Sequence, residues 1–214
     1  MKKSVAMILI ILIVFSITVF AYGTELNNEQ KDDLYNLGIM VGDENGDLHL
    51  TENITRAETI KMICAAGNIE LENTEDITPF PDVPEGHWAY KYIYAAKHKG
   101  IVTGDENGFF NPESDVTNEE IIKMIICLLG YEPMAETRGG YPAGFISQAV
   151  RLGITENMIF DINFPAVRND VAVMICRALD IPIMEMKKEG EYVILDGNNF
   201  EIKKTLRDVF SNKQ

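Results

Sequence analysis

The residues best equipped for chemistry in this 214-residue chain are three cysteines, three histidines and 33 acids. Cys64, Cys127 and Cys176 lie nine, ten and nine residues after positions 55, 117 and 167, each inside an apolar run. An odd number, one per recurring segment, reads as small buried hydrophobes rather than as a disulfide or a metal site. His49, His87 and His98 are scattered and no His-Glu-x-x-His occurs. Asp43-Glu44-Asn45-Gly46-Asp47 and Asp105-Glu106-Asn107-Gly108 look like calcium loops. Their glycine, however, falls at the fourth position instead of the sixth, and neither has a Glu at the twelfth. Both read as turns. Nucleophile-elbow, Walker and dinucleotide motifs are missing from the sequence. At this density of acids, carboxylate pairs are solvated surface and do not define a glycosidase. The expectation is a binding protein, not an enzyme, with no metal and no cofactor.

A repeated segment organises the chain. Ile54-Thr55-Arg56-Ala57-Glu58 leads into Thr-Ile-Lys-Met-Ile-Cys, and Val116-Thr117-Asn118-Glu119-Glu120 into Ile-Ile-Lys-Met-Ile-Ile-Cys. Ala166-Val167-Arg168-Asn169-Asp170 leads into Val-Ala-Val-Met-Ile-Cys. A Gly-Ile pair precedes each one, at Gly38, Gly100 and Gly153. Such spacing predicts three similar modules stacked on one another. Thr55 and Thr117 suit helix N-caps, and Glu58 and Glu120, three residues on, complete capping boxes. Val167 and Asp170 break that pattern, so the third motif helix is expected to start less firmly. In the middle module, Trp88, Tyr92, Ala95 and Ala96 fall on one helical stripe. Gly100 suits a left-handed helix end.

Residues 1–23 have the form of a signal peptide: Lys2 and Lys3, then an apolar run from Val5 to Phe20, then small residues. Cleavage after Ala21 or Gly23 and retention as a short N-terminal anchor both remain open, and both export the chain. Removing the segment lowers the basic count from 19 to 17 against 33 acids, a net charge of −16. That field argues against nucleic acid and anionic membrane as partners, and membrane association is expected only if the segment is retained. An anionic ligand needs a local cluster of donors. The three modules are placed at 30–69, 80–130 and 140–180, separated by an acidic linker at 70–79 and a second linker at 131–139. Residues 189–214 form a tail. There Tyr192–Leu195 and Phe200–Ile202 predict a β-hairpin around Asp196-Gly197-Asn198-Asn199, and Thr205 a cap for a short helix.

Phe80-Pro81-Asp82-Val83, His87-Trp88-Ala89, Gly100-Ile101-Val102-Thr103-Gly104, Asp105 to Pro112 and Val116-Thr117 follow the order and spacing of an S-layer homology (SLH) repeat. Ile54-Thr55-Arg56-Ala57-Glu58 resembles the second-helix motif of the same family. The resemblance covers residues 30–180 and is weakest in the third repeat. Leu128 to Met134, with Gly140-Tyr141-Pro142, resembles clostridial and related Firmicute members. It implies a mainly α fold of three tandem SLH repeats in a pseudo-threefold helical unit, here with the small C-terminal β-hairpin. It also implies an extracellular place at the cell wall or S-layer, and attachment to secondary cell-wall polysaccharide, often through a pyruvylated sugar.

By the same resemblance the motif arginines, Arg56 and Arg168, are the anion contacts. A bidentate guanidinium at a helix start, with free amides and the dipole behind it, suits a carboxylate. Thr55 belongs to the same glycan site, and Glu58, Thr117 and Glu120 are structural caps. Trp88 could stack on a sugar face, although its stripe position favours the core. Asn118 removes one charge and Val167 and Asn169 degrade the third motif, so one competent groove and one partial groove are expected. Little else being encoded, a small standalone envelope protein, or one working through another envelope protein docked on the tail, is expected. The alternative is an exported or membrane-tethered interaction module that keeps the SLH fold without binding glycan.

Overall fold

The computed structural model describes residues 24–71, 78–184 and 202–211. The signal segment and the Tyr192–Leu195 strand lie outside the described residues. Among the described residues the fold is mainly helical. Its elements are α1 (Asn28–Asn36), α2 (Arg56–Ala66), α3 (Tyr90–His98), α4 (Asn118–Leu128), α5 (Glu132–Thr137), α6 (Ala143–Arg151), α7 (Arg168–Ala178), β1 (Pro182–Met184), β2 (Ile202–Thr205) and α8 (Leu206–Ser211). No helix among these residues is long and apolar enough to cross a membrane.

The motif helices α2, α4 and α7 form the centre. Ile60, Ile63, Ile121, Ile122, Ile125, Val171 and Met174 have no exposed surface, so these helices are apolar on more than one face. The three helices touch pairwise, and each also carries a helix from a different part of the chain: α3 lies on α2, α6 on α4, and α1 on α7. The helix pairs therefore cross the module boundaries drawn in the sequence. The first of the described helices, α1, closes the arrangement on the last motif helix.

A buried helix start needs acceptors for its first amides. Here neighbouring backbone supplies them. Ile54 N–H donates to Ala166 O (3.3 Å), Ala166 N–H to Val116 O (2.8 Å) and Val116 N–H to Ile54 O (3.0 Å), a closed ring of three hydrogen bonds. Two residues further on, Arg56 N–H donates to Ser114 O, Asn118 N–H to Phe164 O and Arg168 N–H to Glu52 O. Thr55 Oγ1 accepts from Glu58 N–H at 3.2 Å, while Glu58 Oε2 accepts from Thr55 N–H at 3.0 Å. Glu120 Oε2 likewise accepts from Thr117 N–H at 2.9 Å. Val167 offers no side-chain cap. The start of α7 is nonetheless satisfied, because Glu52 O and Leu50 O take its first two amides.

The helix before the second motif ends as Gly100 predicts, and those before the other two motifs end in the same way. Gly38, Gly100 and Gly153 have φ of +67°, +73° and +76°. The following isoleucine amide reaches back to the last turn, as Ile101 N–H does to Ala96 O, and buries its side chain. Cys64 and Cys176 are buried, Cys127 is half-buried, and all three are free thiols. Burial pushes each of them up to about 12, which keeps them protonated and inert. Asp43 and Asp105 accept backbone amides of their own loops, such as Asn45 N–H and Asn107 N–H. These are the expected turns.

Two expectations need correction. Helix α3 begins at Tyr90, after Trp88, because His87 Nδ1 accepts from Ala89 N–H and ties the preceding residues into a turn. Trp88 is therefore outside the stripe and 53% exposed. In the tail, β2 pairs antiparallel with Pro182–Met184, so the described partner strand lies ahead of the 189–214 segment in which the hairpin was placed. The short helix after it is capped as expected, with Asp208 Oδ2 accepting from Thr205 N–H at 2.9 Å.

The Thr55 cap gives a simple test. Thr55→Ala should cost about 1 kcal/mol, lowering Tm by about 2–4 °C in a domain of this size. Thermal unfolding followed by circular dichroism reads it. An unchanged Tm would show that the α2 start does not depend on the cap.

Candidate functional site

The stagger of the helices builds two matching grooves. The first lies over α2, with a volume of about 380 Å³. Glu58, Lys61 and Met62 form its floor, the Gly38–Val41 loop one wall, and Trp88 and Arg168 the other. The second lies over α4, about 230 Å³. Glu120, Lys123 and Met124 form its floor, the Ile101–Asp105 loop one wall, and Tyr141 and Arg56 the other. Glu and Lys stand three apart, so both project from one face of the helix. The aromatic residue comes from just before the overlying helix, α3 for Trp88 and α6 for Tyr141. The arginine comes from the start of a neighbouring motif helix.

Each arginine is held by the capping glutamate of the groove it enters. Arg168 Nη2 lies 2.6 Å from Glu58 Oε1, and Arg56 Nη1 lies 2.5 Å from Glu120 Oε1. One carboxylate thus fixes a helix start with one oxygen and a guanidinium with the other. Burial would raise Glu58. The Thr55 amide and the charge and hydrogen bond of Arg168 outweigh it and hold the carboxyl below its ordinary value. Arg56 is held further: its Nε–H donates to Phe110 O at 2.8 Å, and the guanidinium sits 4.9 Å from the Phe110 ring centre. The Nε of Arg168 is buried and has no partner among the described residues.

Lys61 and Lys123 have no carboxylate partner within 4 Å among the described residues. Lys61 is exposed. Lys123 Nζ stands 5.3 Å from the Tyr141 ring centre. With the arginine neutralised locally by glutamate, the lysine leaves the first groove with one net positive charge, whereas Asp105 in the wall of the second balances Lys123. A cationic centre beside an exposed aromatic face can hold an anionic group joined to a flat apolar surface.

At the third motif helix the charges are missing. Asn118 stands where a third arginine would be; it is 4% exposed, and its Nδ2–H donates to Asp161 O and Phe164 O. Asp170 stands where the glutamate would be. Burial pushes its carboxyl above the ordinary value, only partly offset by a hydrogen bond from Asn169.

The predicted site residues sort differently from the sequence reading. Arg56 serves the groove over α4, not the one over its own helix, and Arg168 serves the groove over α2. Trp88 faces a groove instead of the core. Thr55 is spent in the cap and lines neither groove. The amides expected to meet an anion at the motif starts are already taken by neighbouring carbonyls. Lys61, Lys123 and Tyr141 were missed. The two lysines had a visible signal, since both stand three residues after the motif glutamate, where the third motif has Val173.

Comparison with known proteins shows the family. The model of the S-layer homology domain matches residues 79–122. The chain is 31% identical over 156 residues to the Middle cell wall protein of Brevibacillus brevis, covering 72% of this chain and 14% of that protein. It is 32% identical over 165 residues to the Surface layer protein of Brevibacillus choshinensis, covering 75% and 14%.

The chain is an SLH domain-containing protein.

Over 78 residues it is also 36% identical to the Cellulosome-anchoring protein of Acetivibrio thermocellus, covering 35% of this chain and 17% of that protein. The SLH chain spans about a seventh of the length of the Brevibacillus relatives. Membership places it outside the cell, at the surface of a Gram-positive-type bacterium.

The two acids at equivalent positions should respond oppositely to pH. Asp170 titrates above its unfolded value, so its penalty is absent at low pH and sets in as pH rises through the folded pKa. Asp170→Asn should raise Tm by about 1–3 °C at pH 7 and leave it unchanged near pH 3. Glu58 titrates below its unfolded value, so its contribution is present at neutral pH and lost as pH falls through the folded pKa. Glu58→Gln should lower Tm at pH 7, with the difference closing below the ordinary carboxylate range. Calorimetry across this range reads both, and a destabilised Asp170→Asn at pH 7 would contradict the assignment.

Proposed function

We propose that this chain attaches non-covalently to the cell wall by binding secondary cell-wall polysaccharide, with an acidic, pyruvylated sugar as the recognised unit. In this reading residues 30–69, 80–130 and 140–180 are three SLH repeats in a pseudo-threefold unit, and the ligand lies in the grooves between them. The observation that carries it is the duplicated set of one arginine, one lysine and one exposed aromatic side chain. A pyruvyl carboxylate would be held by lysine and arginine together, and the sugar face would lie on Trp88 or Tyr141. A local cationic pair of this kind is what an anionic ligand needs against a chain carrying a net charge of −14.

Binding fits these grooves better than catalysis. The carboxylates of Glu58 and Glu120 are committed to helix caps and arginine pairs. Asp105, beside the second groove, accepts the Asn107 and Phe109 amides and the Asn111 side chain. None is placed as a free general acid or base. The resting Arg–Glu pairs favour one other reading, a surface interaction module in which the arginines serve only to join the modules.

A pull-down with purified sacculi separates the two. The exported protein should sediment with native walls and not with walls stripped of polysaccharide. Arg56→Ala and Arg168→Ala should each weaken binding about 10- to 100-fold, the range for a lost charge-assisted contact, and the double variant should abolish it. Well-folded wild-type protein that stays in the supernatant would leave the interaction-module reading.

A further inference from the structure

The third motif helix carries an overlying helix as the other two do, but the residues that line the two grooves are replaced there. The residue immediately before the N-cap of the overlying helix is Trp88 in the first groove and Tyr141 in the second, ahead of Ala89 and Pro142. Over α7 the overlying helix is α1, with N-cap Asn27, and the equivalent residue is Leu26. Trp88 and Tyr141 are 53% and 47% exposed, whereas Leu26 is 4% exposed. Lys61 and Lys123 are replaced by Val173, which is fully buried. Asn118 replaces the arginine, and its Nδ2–H is taken by Asp161 O and Phe164 O of the stretch leading into α7. Asn169 then ties the lead-in segment down: its Oδ1 accepts from Leu26 N–H at 3.2 Å, and its Nδ2–H donates to Thr24 O at 2.9 Å. The Thr24 hydroxyl adds a bond to Asn157 O at 3.2 Å.

We infer that the groove over α7 is a self-filled seam, closed by the chain's own residues 24–27, and that the protein holds two anionic saccharide units, not three. Four substitutions act together at this one place. The aromatic platform, both cations and the capping glutamate are all absent, and the space is filled from within by leucine and valine. Asn169, which weakens the motif as a ligand site, is the residue that straps the segment. The seam joins the first helix to the last motif helix, so what is lost in ligand binding is used to close the arrangement. This inference rests on the wall-binding reading for the chemistry of the ligand.

Native mass spectrometry of the exported protein tests it, using as probe a synthetic methyl glycoside of an N-acetylhexosamine carrying a 4,6-pyruvate ketal. Two bound probes are expected at saturation. Trp88 is the chain's only tryptophan, so its fluorescence reports on the first groove alone. Arg168→Ala should leave one probe bound and remove the fluorescence change. Arg56→Ala should leave one probe bound and keep it. Asn118→Ala should leave two. Three probes on wild type, or loss of one with Asn118→Ala, would overturn the two-site inference while the wall-binding reading stands. No bound probe on folded wild type would overturn both.

Discussion

Each motif helix buries its own N-terminus, and a buried amide without an acceptor costs about 1–3 kcal/mol. The acceptors here are carbonyls from another part of the chain. Ile54, Val116 and Ala166 close the ring of hydrogen bonds, and two residues on the amides of Arg56, Asn118 and Arg168 are taken by Ser114, Phe164 and Glu52. This fixes the mutual rotation of the three motif helices. The first side chain of one helix is thereby carried to the flank of another, which is how Arg56 comes to meet Glu120, and Arg168 Glu58.

The electrostatics follow from that placement. Such partly exposed ion pairs are worth only about 0–1 kcal/mol in themselves, so their main effect is positional. They hold a guanidinium beside a lysine in a chain whose overall field is strongly negative. The glutamate serves two helices at once, as cap for its own and as counter-ion for its neighbour's arginine. Where the arginine is replaced by Asn118, the counter-ion has been shortened to Asp170, and the aromatic and lysine positions are taken by the buried Leu26 and Val173.

Much of the fold was legible because its signals are local. The capping box at Thr55, the Glu120 half of the one at Thr117, the left-handed Gly100 before Ile101, and the burial of Cys64 and Cys176 depend on residues a few positions apart. The composition of the grooves was not legible. Hydrophobic spacing shows that α2 has an apolar face but not that α3 covers it, and nothing near Arg56 in sequence points to Glu120, 64 positions away. Trp88 was misread for a local reason, since the stripe assumed that the helix begins before it. Asn118 was read as damage to a site on its own helix, whereas the structure puts all the losses into one place and leaves two complete sets of residues.

The claim that each arginine works in a neighbour's groove is tested most directly by double-mutant cycles on chemical unfolding. Cycles for Arg168→Ala with Glu58→Ala, and for Arg56→Ala with Glu120→Ala, should give favourable coupling of about 0.5 kcal/mol or more, as for residues in contact. Arg56→Ala with Glu58→Ala, two residues apart on one helix, should be additive within about 0.3–0.5 kcal/mol. Coupling between Arg56 and Glu58, with none between Arg168 and Glu58, would contradict the account.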